Sequence, residues 1–104
     1  MPVVHVVAVI SVKPGKRSEV LKLFHANMPN VLAEDGCIEY SPTIDALEAG
    51  GLQTKIGPDS FVVIEKWESL EHLKAHAAAA HMKEYALKVK DLLVDRAIHV
   101  LAPT

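Results

Sequence analysis

A chain of 104 residues, half of them apolar, is one domain (residues 1–104) with enough length to bury a core without disulfides or metal. The net charge of -2, with no basic run longer than Lys16-Arg17, argues against nucleic acid as a partner. Cys37 is the only cysteine, which excludes an internal disulfide and a cysteine-based metal site and points to a cytoplasmic protein.

The opening MPVVHVVAVISV is apolar but short, lacks a basic leader and is interrupted by His5, so it reads as a buried strand rather than a signal or membrane span. Val4, Val6, Ala8, Ile10 and Val12 fall on one face; Val3, Val7 and Val9 share the other with His5 and Ser11. A strand apolar on both sides is covered on both sides, and in so small a protein the second cover is expected to be another subunit. Lys13-Pro14-Gly15 is a turn, and residues 16–34 are helical by period, with Leu21, Phe24, Met28 and Val31 or Leu32 on one face. Pro29 is predicted to kink that helix or end its first part, and Gly36 to stop it. Residues 37–44 form a second strand, in which Pro42 argues for an edge position or an early bend. Residues 46–60, with Gly50-Gly51 and Gly57-Pro58, form a loop long enough to be a lid or a dimer arm.

The remainder is organised around FVVIEKWESLEHLKAHAAAAHM at 61–82. In a strand, Phe61, Val63, Glu65 and Trp67 project from one face, placing a carboxylate and an indole on a surface with two apolar side chains. Ser69 is an N-cap and Glu71 suits the first turn of the helix that follows. Leu70, Leu73, Ala77 and Ala80 make a narrow apolar stripe with His76 at its border. The later set Met82, Tyr85, Val89, Leu92 and Leu93 is helical too but rotated away, so a break is expected at 79–81, with His81 at the start of a second helix running to Asp95. The positive end of that helix disfavours imidazolium, leaving His81 able to accept a proton or bind a substrate oxygen. Residues 97–101 form a last strand carrying His99. Strand, helix, two strands, helix and strand in that order give an α+β, ferredoxin-like βαββαβ plan.

Three stretches, VVAVISVKPGK, EDGCIEY at 34–40 and above all FVVIEKWESLEHLKAHAAAAH, resemble the antibiotic biosynthesis monooxygenase (ABM) domain family, which includes quinol monooxygenases. The resemblance covers nearly the whole chain. It implies a homodimer whose two sheets pack as a dimeric α+β barrel, with a cavity between sheet and helices in each protomer. It also implies a cofactor-independent monooxygenase, with no metal, flavin or haem, that deprotonates a quinol-like or polyketide-like aromatic for reaction with dioxygen. Trp67, His76 and His81 match the family pattern, and haem-degrading relatives differ in carrying Trp at the position of His76 and a His where this chain has Ala86. The loop at 46–60 is several residues longer than in typical members.

That chemistry needs a base, a flat apolar slot and donors for the developing anion. His76 and His81 are the candidate catalytic residues; Trp67, Glu65 and Tyr40 are candidates for substrate binding. Each has a plainer reading beside it. His76 can be a half-buried helix residue bonded to backbone, His81 a cap, Trp67 and Tyr40 core, and Glu65 the partner of a structural cation such as Arg96. Cys37 is read as a small buried hydrophobe. His72 and His76 have the spacing of a helical metal pair, but no HExxH and no third ligand accompany them. His5 and His99 are placed in the sheet interface or at strand ends, and His25 in solvent. Two other functions stay open: a cofactor-free isomerase of a small, possibly phosphorylated, carbonyl compound, expected to aim Lys or Arg into the pocket, and a non-catalytic small-molecule-binding dimer, expected to turn His76 and His81 away from any cavity. No membrane or nucleic-acid partner is expected.

Overall fold

Alternation in two strands decides the architecture. A computed structural model describes residues 2–104 and orders them as β1 (Val4–Val12), α1 (Arg17–Leu32), β2 (Cys37–Thr43), β3 (Ser60–Trp67), α2 (Leu70–Ala77), α3 (Ala80–Val89) and β4 (Leu93–Leu101). β1 pairs antiparallel with β3, setting Val4 against Trp67, Val6 against Glu65 and Ala8 against Val63. These residues, with Phe61 and Val12, are buried on the face that meets the helices. The odd-numbered positions of β1 and their partners in β3 (Val7, Val9, Val62, Ile64) are only half-buried on the opposite face. β4 pairs with the other side of β1, and β2 pairs with β3, giving the antiparallel order β2-β3-β1-β4 of a ferredoxin-like fold.

Val20, Phe24 and Val31 of α1 and Val89 of α3 close the core over the sheet, with Phe61 and Trp67 fully enclosed. Burying each large apolar side chain contributes roughly 1.5–3 kcal/mol, so this layer holds the helices in place. Pro42 sits in β2, an edge strand as expected, where a missing N–H costs no ladder bond on the open side.

Two expectations are corrected. Pro29 does not end α1, which runs on to Leu32. Its ring forfeits the hydrogen bond to the carbonyl of His25, a residue on the solvent side, and the helix needs only one further turn. The second helix does not reach Asp95 either: α3 ends at Val89 and β4 begins at Leu93. Leu93 pairs with Val12 and Asp95 with Ser11, so strand pairing to β1 takes over residues whose apolar spacing also suits a helix.

The break between α2 and α3 falls at Ala78 and Ala79, where the N-cap residue Ala79 is extended. Between β2 and β3 the long connection is ordered by Asp45, whose carboxylate accepts the backbone N–H groups of Ile56 and Gly57 at 2.9 Å each. Those bonds hold its carboxyl below the usual range. Among the described residues no helix is long and apolar enough to cross a membrane.

Candidate active site

Glu65, on the inner face of β3, is 7% exposed, and burial pushes its carboxyl above the ordinary range. Its compensation is local: the indole N–H of Trp67 donates to Oε1 at 3.0 Å. The chain then enters α2 at once. The Ser69 hydroxyl accepts the backbone N–H of His72 at 3.3 Å, satisfying one orphan donor of the first turn. This cap fixes the helix phase so that His76 turns inward, 5% exposed, with its ring 4.7 Å from that of Trp67.

A second carboxylate arrives from far away in sequence. Glu34 lies just past the end of α1, and its Oε2 stands 2.7 Å from Nδ1 of His76. Gly36 makes this possible: its φ is +81°, and a Cβ there would overlap the His72 ring. The Gly36 carbonyl accepts the Glu68 N–H at 2.9 Å, locking the turn onto the β3–α2 junction.

His81 reaches the same carboxylate, with Nε2 3.2 Å from Glu34 Oε2. The hydrogen-bond chain behind it sets its proton. Asn30 donates its amide N–H to Asn27 Oδ1 at 3.0 Å, so Asn27 presents its own amide N–H to His81 Nδ1 at 3.2 Å. Nδ1 therefore accepts, and the ring proton of His81 sits on Nε2, facing Glu34. The approach is short but poorly aligned, and Nε2 is buried without a well-directed partner.

A carboxylate only accepts, so Nδ1 of His76 carries a proton, and in the neutral tautomer Nε2 keeps its lone pair. Among the described residues Nε2 has no hydrogen-bond partner, and with Nδ1 turned to Glu34 it is the ring nitrogen left to face the cleft that His76 lines. That cleft, of about 880 Å³, runs between the inner sheet face and α2, α3 and β4. Its deep wall is apolar, built from Phe24, Phe61 and Val63, with Tyr40, Glu65 and His76 as its buried polar groups. The Tyr40 ring stacks on Phe24 at 5.1 Å and meets His76 edge-on at 5.4 Å, and burial pushes its hydroxyl upward so that it remains a donor.

Of the residues singled out in the sequence, His76, Glu65 and Tyr40 line this cleft. Trp67 does not; wholly buried, it supports Glu65 and His76 from behind. His81 lies on the far side of Glu34, beside a separate pocket of about 100 Å³ between α1 and α3. His72 and His76 do not converge on one point, since His72 bonds Ser69 Oγ at 2.7 Å and lies 3.4 Å from Asp35. Asp35, Glu68 and His72 bring ligand atoms within 4.8 Å of one another, but both acids are exposed to solvent. Cys37 is half-buried with its thiol pushed up by burial, consistent with a packing role.

Sequence reasoning missed Glu34. A signal was present: a carboxylate just past a helix C-terminus sits at the negative end of the dipole and needs N–H donors to hold it there.

A ferredoxin-like sheet carrying a histidine–carboxylate pair at the deep wall of an apolar cleft defines a small-molecule site between sheet and helices. The chain belongs to the antibiotic biosynthesis monooxygenase family, whose description its residues 3–87 match. It is 41% identical over 100 residues to the Probable quinol monooxygenase YgiN of Escherichia coli (strain K12), covering 94% of this chain and 95% of that protein. Among solved structures, a conserved protein from Methanosarcina mazei Go1 superposes with a TM-score of 0.83 at 27% identity, covering 100% of this chain and 95% of that one. Rv0793 from Mycobacterium tuberculosis gives 0.78 at 29% identity, with 98% and 95% covered.

Proposed function

We propose that this protein is a monooxygenase that oxidises a quinol-like or polyketide-like aromatic with dioxygen, with His76 as the base. The observation that carries this reading is the His76 ring itself, tied by Nδ1 to Glu34 and open to an apolar cleft at Nε2. A phenolic hydroxyl placed at Nε2 loses its proton to the imidazole, and the resulting imidazolium is stabilised by the Glu34 carboxylate 2.7 Å away. In that role Glu34 is a positioning residue, with His81, itself oriented by Asn27 and Asn30, 3.2 Å behind it.

The flat, stacked surface of Phe24 and Tyr40 suits an aromatic ring, and the Tyr40 hydroxyl is a donor for the electron-rich anion. Electrons for the oxygen chemistry come from the substrate. One oxygen atom enters the ring, and the other leaves as water with two hydrogens of the quinol, so the balance closes without an external reductant. The name of the Escherichia coli relative supports the quinol class.

The half-exposed apolar positions Val7, Val9, Val62 and Ile64 support a homodimer built on the open sheet face. One observation favours the isomerase alternative: Lys74, Lys83, Lys90 and Arg96 line the cleft. They are exposed, however, whereas the deep wall is aromatic and aliphatic.

Oxygen uptake with a panel of simple quinols and anthrone-type phenols, comparing wild type with His76→Ala, tests the proposal. Uptake above autoxidation that falls with the substitution is expected. Uptake equal in both proteins, or none above background, overturns it.

A further inference from the structure

The charge of the cleft is uneven in a way that bears on what enters it. The chain carries 11 Lys and Arg against 13 Asp and Glu. Yet the cleft is lined by Lys74, Lys83, Lys90 and Arg96 and by only two acids, Glu65 and Asp95. The four cations come from α2 (Lys74), α3 (Lys83), the residue that follows α3 (Lys90) and β4 (Arg96), and all are exposed at the outer margin. None of them is in an ion pair among the described residues, where every carboxylate bridge is made by a histidine. The carboxylates of Glu65 and Glu34, by contrast, lie at the buried end.

We propose that the ligand of this cleft is an aromatic that carries an anionic substituent, a carboxylate or a phosphate ester, held at the outer margin by Lys74, Lys83, Lys90 and Arg96. This rests on the reading of the cleft as an aromatic-substrate site and names its substrate class more closely. The electrostatics also orient the ligand. A permanently charged substituent at the deep wall has no proton to give His76 and would meet the Glu34 and Glu65 carboxylates uncompensated in a poorly solvated setting, whereas the low-dielectric walls focus the field of the marginal cations outward. The hydroxyl-bearing end is thus driven toward His76 Nε2 and the anionic end toward the mouth. The volume of about 880 Å³ has room for a fused ring with such a substituent.

Isothermal titration calorimetry at low ionic strength with three probes tests this: 2-naphthol, 6-hydroxy-2-naphthoate and 6-hydroxy-2-naphthyl phosphate. The wild type is expected to bind at least one anionic probe roughly 5–20-fold more tightly than 2-naphthol, as a few partly exposed ion pairs allow. Lys83→Glu combined with Arg96→Glu should erase that advantage, and a wild-type circular dichroism spectrum and Tm show that the variant is folded. Lys88→Glu, on α3 but outside the cleft lining, should preserve it. If both anionic probes bind no better than 2-naphthol, or keep their advantage in the double variant, the marginal cations do not select an anion and the inference is overturned while the aromatic reading stands. If no probe binds, both fall.

Discussion

Glu34 and His76, 42 positions apart in sequence, are joined by a 2.7 Å contact between Oε2 and Nδ1 that settles which nitrogen of the histidine faces the cleft. Substituting Glu34→Gln removes the charge that stabilises the imidazolium. The expected result is a fall in kcat of roughly 100-fold with KM changed only a few-fold, because the loss falls on the proton-transfer step rather than on binding. Steady-state oxygen uptake on the best quinol measures the split; a loss confined to KM would show that Glu34 does not act through His76.

Glu65 sets a stability cost against a site. Its folded carboxyl is raised above the ordinary value of 4.5, with burial the leading cause and the Trp67 N–H opposing it. A carboxyl raised on folding contributes stability that is full below 4.5 and is lost as pH rises through the folded value. Glu65→Gln retains an acceptor for the indole and removes the buried charge. Its Tm should exceed that of wild type by roughly 2–5 °C at pH 8, and the gap should close toward pH 4. Thermal melts across that range decide; a Tm lowered equally at all pH values would mean that Gln cannot replace the carboxylate in the hydrogen bond.

Gly36 is the hinge that brings Glu34 to the histidines. Gly36→Ala forces a side chain into the positive-φ region and into the His72 ring, and should destabilise the fold by about 2–3 kcal/mol. Denaturant titration gives the number, and a change below about 0.5 kcal/mol would mean that the turn relaxes freely.

The apolar outer face of the sheet predicts a dimer in solution. Light scattering behind size exclusion should give twice the mass of 11.3 kDa for wild type. Val7→Asp, a charge placed among Val9, Val62 and Ile64, should shift it toward monomer. A monomeric wild type would leave that face to another partner.

Asp45 latches the long β2–β3 connection. Because its folded carboxyl is lowered, its contribution is present above the ordinary value of 3.8 and is lost as pH falls through the folded value. Asp45→Ala should make residues 46–56 the first site of cleavage in limited proteolysis at pH 7, while the core melts unchanged. Equal cleavage rates in both proteins would mean that the latch does not order the loop.

Much of this molecule is written in local pattern. The two-residue alternation of β1 and β3, the Ser69 cap and the break between α2 and α3 each depend on neighbours in sequence, and each appears in the structure, although the stripe Leu70, Leu73, Ala77 and Ala80 is largely exposed and His76 is the buried residue of α2. The same periodicity places Glu65 on an inward face, where it lies, and His76 only at the border of a stripe, whereas the fold buries it. Only the tertiary structure decided that Leu93 belongs to a strand, because its pairing with Val12 of β1, some eighty residues away, outweighs a helical spacing it also fits. It alone decided that Glu34 joins His76, that His81 stands behind that carboxylate rather than in the cleft, and that Trp67 is enclosed. Local period fixes the direction in which a side chain points along its own element; what it meets there depends on how separate elements pack, and a single sequence carries that information only through the whole fold.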